Sequence, residues 1–195
     1  MIGRSVGELA VGQAAELIRE VTPGLVRAFL AATGDDNPLH SDPTFAAATR
    51  FGGLVVPGML TGSLISAVIG TRLPGPGTVY VSQELRFRRP VAVGDVVTAR
   101  VEVIQLVPER NRVCLRTTCT NQHGELVLEG EAWVLPPRAR VEYQGPGARS
   151  PVALAWAPAT LGARLASAWA MRACALAREA LDLVRRAPPA APASA

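Results

Sequence analysis

The stretch TGDDNPLHSD, residues 33–42, brings Asp35, Asp36, Asn37, Pro38, His40 and Asp42 close together in the chain. A carboxylate and an imidazole at this spacing are the side chains that most readily exchange protons near neutral pH. Asn37 can hydrogen-bond its own backbone and Pro38 freezes one dihedral angle, so the segment has the means to hold a shape. Adding water across a double bond conjugated to a carbonyl needs three parts. A base takes a proton from water, an acid delivers one to the α carbon, and donors hold the carbonyl oxygen as it gains negative charge. Asp35 and His40 are candidates for the first two. The backbone N–H of Gly58 is a candidate for the third, because it opens an apolar helical segment whose free N–H groups and dipole favour developing negative charge. On general chemistry alone, a segment rich in Asp, Asn and Pro between two helices reads first as a turn. The surrounding elements have to decide.

GQAAELIREVT (12–22) reads as a strand, although its Ala, Glu and Leu also permit a helix. Thr22 and Pro23 form an N-cap and a first-turn proline, GLVRAFLAAT follows at helical spacing, and Gly34 stands where a helix stops. Asp42 and Pro43 repeat the start signal before PTFAAAT, which places the polar motif in a loop between two helices. GMLTGSLISAVIGTRL (58–73) is apolar nearly all round with small residues between, the pattern of a buried helix. From Gly77 the period changes. TVYVSQELRFRRPV, DVVTARVEVIQLV, RVCLRTTCTN and ELVLEGEAWVLP alternate like strands and are separated by turn sequences. Antiparallel strands after one buried helix suggest an α+β fold with a sheet wrapped around that helix.

The chain carries 20 positive side chains, all arginine, so a Schiff-base lysine or a phosphate-loop GKS/GKT sequence is excluded. The net charge is +4, but the arginines are scattered and aromatic residues are few, which argues against a nucleic-acid partner. Arg86, Arg88 and Arg89 are the densest basic cluster before residue 138, and they fit a solvated strand face and a clamp for a phosphorylated ligand equally well. Cys114, Cys119 and Cys174 have no metal-ligand spacing. Cys114 and Cys119 fall on opposite faces of one strand, so a bridge between them is not expected and a reducing cytoplasm is. His123, in the turn NQHGE, reads as solvated. No metal site and no cofactor is expected.

GDDNPLHSDPTFAAAT, GMLTGSLISAVIG and LPGPGTVYVSQELRFRRPVAVGDVVTARVEV together resemble the R-specific enoyl-CoA hydratases, single-domain members of the MaoC-like dehydratase group, over about residues 8–136. The resemblance implies a hotdog fold, in which an antiparallel sheet wraps a long central helix and two subunits join edges as a homodimer. The family motif Asp-x-Asn-Pro-x-His selects Asp35, Asn37, Pro38 and His40 and leaves Asp36 in the variable position. It implies that Asp35 and His40 are the acid/base pair, that the Gly58 N–H is the oxyanion donor, and that Ser66 supports Asp35. From its own context, Ser66 reads instead as a small residue bonding a carbonyl one turn back. Coenzyme A would enter only as part of an acyl-CoA substrate, with Arg86, Arg88 and Arg89 as possible phosphate contacts. Pro57 stands where the family has histidine.

The resemblance gives a hydratase domain over residues 1–137. A linker is expected at 138–150, a helical extension at 151–186 and a disordered tail at 187–195. The extension has Leu161, Leu165, Trp169, Leu176 and Leu183 on one side and arginines largely on the other, which reads as a docking face first and a membrane-surface helix second. Two other functions remain open. Hotdog thioesterases commonly place a carboxylate on the central helix, and residues 58–73 hold none. A noncatalytic acyl-binding or scaffolding subunit would fit Pro57 and the long extension, but not an intact Asp35 and His40.

Overall fold

The computed structural model describes residues 1–144, which form one compact unit. The helical extension and tail expected over 151–195 lie outside the described residues. In chain order the elements are β1 (Ile2–Gly3), β2 (Ala14–Glu20), α1 (Pro23–Thr33), α2 (Pro38–Ser41), α3 (Pro43–Ala47) and α4 (Gly58–Thr71), followed by β3 (Val79–Gln83), β4 (Arg86–Phe87), β5 (Val96–Val107), β6 (Arg112–Thr120), β7 (Leu126–Leu135) and β8 (Val141–Glu142).

Strands β2 to β7 build a six-stranded antiparallel sheet in the order β2-β5-β6-β7-β3, with β4 also paired to β7. The alternation read from the sequence sets its two faces. Ala99, Val101 and Val103 of β5 stand beside Cys119, Thr117 and Leu115 of β6, and Leu128, Gly130 and Ala132 of β7 continue the same rows. Against this inner face lies α4, burying Leu60, Leu64, Ile65, Val68 and Ile69. Each such side chain contributes about 1.5–3 kcal/mol by leaving water. Residues 12–22 form the expected strand, because Leu17 and Ala15 continue the inner rows opposite Ala99 and Val101.

Three expectations change. The helix read as buried all round is buried on one side only. Met59, Gly62, Ser63 and Ser66 recur at helical spacing on the other side and, with Phe29, Tyr80 and Leu85, line an open apolar depression, where Met59 is 60% exposed. The single strand expected over 78–91 is two short strands, β3 and β4, separated at Glu84 and Leu85, where the backbone lies close over Gly130; the shift of register against β7 comes earlier, between Tyr80 and Ser82. The domain end expected at 137 falls short, since Val141 and Glu142 of the expected linker pair with Gly3 and Ile2. Cys114 and Cys119 are both buried and free, as their opposite-face placement requires. Burial pushes the Cys119 thiol up to about 12.

Candidate active site

The polar motif is built by a succession of local caps. Thr22 accepts the Leu25 N–H at 3.2 Å to start α1, and Gly34 ends it in the left-handed conformation at φ 70°, which turns the chain toward Asp35. The Asp35 Oδ1 accepts the Asn37 N–H at 3.1 Å, and the Asn37 Oδ1 accepts the Leu39 N–H at 3.1 Å. Asn37 therefore caps α2, with Pro38 at its first position. The expected loop is in part a helical turn, and His40 sits on it. Asp42 caps the next helix as expected, accepting from Thr44 at 2.8 Å and Phe45 at 3.1 Å. Asp36 is exposed.

His40 is held through its Nδ1. Its Nδ1 lies 2.6 Å from the Val55 carbonyl oxygen. A carbonyl only accepts, so Nδ1 carries the proton and Nε2 presents a lone pair. Val55 is itself held by its N–H on the Leu39 carbonyl and by pairing with Ala92. With the Asn37 Oδ1 committed to the cap, its Nδ2 is left to face the His40 Nε2 at 3.5 Å. The Asp35 Oδ2 stands 3.9 Å from that same Nε2, and the two side chains are 34% and 11% exposed. This separation is too long for a direct hydrogen bond, yet one water can touch both groups.

His40 opens onto a cavity of about 330 Å³ that also holds Gly58. Its floor is buried and mostly apolar: Val56, Thr61, Val91 and Val127. Its rim carries Arg50, Arg88 and Arg89, all exposed. Gly58 is the first residue of α4, so its N–H has no acceptor one turn back. Pro57, at the N-cap, has no side-chain acceptor to compete for the first-turn N–H groups. A Cβ on Gly58 would meet the Phe87 ring at 2.9 Å, so glycine is what lets the ring lie against the helix start.

The structure brings His40 together with Asp35, Asn37 and Pro38, and His40, Gly58, Arg88 and Arg89 around one cavity. Two expected site residues stand elsewhere. Arg86 is not on the cavity wall. It pairs with Glu84, because residues alternate along β4 and Phe87 takes the cavity side. Ser66 lines the depression on the other face of α4, beside Tyr80, and within the single chain it makes no bond to Asp35. Burial raises the pKa of the Tyr80 hydroxyl, and the Ser66 hydroxyl partly opposes that rise. Sequence reasoning missed Arg50, Phe51, Phe87 and the Val55 carbonyl. Alternation could have placed Phe87, but a backbone oxygen leaves no mark in a sequence. His123 is exposed in its turn. Among the described residues no group of His, Cys, Asp and Glu could hold a metal ion, and no helix is long and apolar enough to cross a membrane.

Comparison with known proteins gives a consistent family. Residues 9–123 match the MaoC-like domain. The chain is 50% identical over 131 residues to a 3-hydroxybutyryl-CoA dehydratase of Methylorubrum extorquens, covering 67% of this chain and 83% of that protein. It is 46% identical over 133 residues to an (R)-specific enoyl-CoA hydratase of Aeromonas caviae, covering 68% of this chain and 99% of that one. Among solved structures, the unliganded R-hydratase PhaJ1 from Pseudomonas aeruginosa matches with a TM-score of 0.69 at 42% identity, over 76% of this chain and 97% of that one. The sheet, its central helix and these matches make the fold a hotdog, and the chain belongs to the MaoC-like domain family.

Proposed function

We propose that the protein reversibly hydrates trans-2-enoyl-CoA in the syn sense to give (R)-3-hydroxyacyl-CoA, as an enoyl-CoA hydratase. The observation that carries this reading is the facing of the Asp35 Oδ2 and the His40 Nε2 at 3.9 Å beside a cavity that Gly58, at the start of α4, also lines. A water between the two donates one hydrogen to the carboxylate and one to the imidazole, which leaves an oxygen lone pair for C3. As the C3–O bond forms, a proton passes from water to the pair and the C2=C3 π electrons move toward the thioester oxygen, held by Gly58. The pair then returns a proton to C2 on the same face, which resets both groups. The apolar floor keeps competing water from the carbanion-like carbon. Coenzyme A takes part as the carrier of the substrate, and no further cofactor enters. The subunits of a homodimer would join along β3, the edge strand, whose Val79, Tyr80 and Val81 are exposed.

Crotonyl-CoA and octenoyl-CoA test the reading through loss of enoyl absorbance, followed by chiral analysis of the product. An (R) product is expected from at least one of them. An (S) product, or release of free thiol without loss of the double bond, would sink it, and the second result would favour a thioesterase.

Gly58→Ala provides a separate check on the oxyanion donor. The N–H survives, but the new methyl group must push aside the Phe87 ring, which is 52% exposed and able to move. The fold should therefore hold while kcat falls roughly tenfold, less than the ~10²–10³ that complete loss of such a donor costs. Steady-state kinetics and thermal unfolding of the same preparation read both effects. A normal kcat would remove Gly58 from the mechanism.

A further inference from the structure

Arg50 had no motif to single it out, and its surroundings differ from those of the other arginines on the cavity. Arg88 donates from Nε to Glu129 at 2.7 Å, and Arg89 lies 3.7 Å from Glu125. Each of these positive charges is partly cancelled before a ligand arrives. No carboxylate among the described residues pairs with Arg50; its guanidinium carbon lies 4.8 Å from the centre of the Phe51 ring. Stacking of this kind holds the planar cation without consuming its five donors, and it costs less desolvation than an ion pair. Phe51 and Arg50 are both on the wall of the cavity that holds His40 and Gly58. The cavity thus runs from an apolar floor at the reacting end to an exposed rim of positive charge, with one cation held in place and left without a counter-ion.

We infer that Arg50 binds a phosphate of the substrate's carrier arm and so sets a preference for phosphate-bearing thioesters over neutral ones. The assignment rests on the hydratase reading for the identity of the thioester. A thioester whose acyl end lies on the apolar floor must send its carrier arm out past the rim, where an anion meets Arg50. The guanidinium suits this task because its paired N–H groups match two phosphate oxygens. Arg86, ion-paired outside the cavity, has no such role. The same chemistry is offered by coenzyme A and by a phosphopantetheine arm on a carrier protein, and the test separates them.

The experiment compares wild type with Arg50→Gln and Arg50→Lys on crotonyl-CoA, crotonyl-4′-phosphopantetheine and crotonyl-pantetheine, with calorimetric binding of coenzyme A as a second readout. For Arg50→Gln, KM on crotonyl-CoA should rise about tenfold and coenzyme A binding should weaken to match. The penalty on crotonyl-pantetheine, which has no phosphate, should be at least fivefold smaller, and Arg50→Lys should recover part of the loss. A penalty kept on phosphopantetheine puts Arg50 on the phosphate next to the arm, which both carriers share. A penalty seen only with coenzyme A puts it on the more distant phosphates. An equal loss on all three thioesters, or no loss on crotonyl-CoA, overturns the assignment. If wild type hydrates none of the three, the hydratase reading fails instead, and coenzyme A titration of the variants still tests Arg50.

Discussion

Asp35→Asn and His40→Gln are each expected to lower turnover on crotonyl-CoA roughly 10²-fold or more, while Asp36→Asn stays within about twofold of wild type. The asymmetry follows from the loop. Asn in place of Asp35 can still accept the Asn37 N–H with its amide oxygen, so the turn into α2 survives. What it loses is an oxygen that can take a proton from water. Gln at position 40 loses the imidazole nitrogen that faces Asp35, a ring whose orientation the Val55 carbonyl fixes at Nδ1. Asp36, one residue from Asp35, is exposed to solvent. Stopped-flow or steady-state absorbance reads all three variants, with circular dichroism to show that each is folded. Damage from Asp36→Asn with activity kept in Asp35→Asn would reverse the assignment.

Gly130→Ala is expected to destabilise the protein by about 3 kcal/mol, at the upper end of ordinary overpacking. Gly130 lies on the inner face of β7 opposite Thr117, and the backbone of Glu84 and Leu85, between β3 and β4, passes directly over it. A Cβ there would stand 1.9 Å from the Glu84 carbonyl oxygen and 3.3 Å from the Leu85 Cα. Both are backbone atoms, so no side-chain rotation relieves the clash. Either β7 or the Glu84–Leu85 segment must move, and that segment is also held by the Glu84 N–H on the Glu131 carbonyl at 2.9 Å. For a chain of this size that loss corresponds to a melting temperature roughly 6–12 °C lower, measured by thermal unfolding. An unchanged melting temperature would mean that the Glu84–Leu85 backbone does not rest on β7.

These two cases also mark what could be read from the chain. The frame around Asp35 and His40 was legible because caps are local: Thr22, Gly34 and Asp42 each act within a few residues of themselves, whereas the choice of those two side chains rested on the family motif. Strands β5, β6 and β7 were legible for a related reason, since period-two alternation is visible wherever only one face is buried. The break between β3 and β4 over Gly130 was not, because it depends on a strand 45 residues away, and nothing in YVSQELRF announces it. The apolar content of α4 and the strands after it showed that the helix would lie against a sheet, but not that one side would stay uncovered: its Met59–Ser66 stripe remains open in the single chain. Arg50 looked like any other exposed arginine until the fold brought it to the cavity wall.

The order of the chain has a consequence for how the protein is made. Asp35, His40, Gly58 and the whole of α4 lie ahead of β5 and β6, and of the strands that helix packs against only β2 precedes it. On a ribosome, Leu60, Ile65 and Ile69 leave the exit tunnel before most of the surface that will cover them exists. At ~5–20 residues per second, the wait from Thr71 to Leu135 is roughly 3–13 seconds. Strands β5, β6 and β7 need no such wait, since β6 pairs with β5 and β7 with β6 as each is made. The nascent helix is therefore the segment on which a chaperone would act.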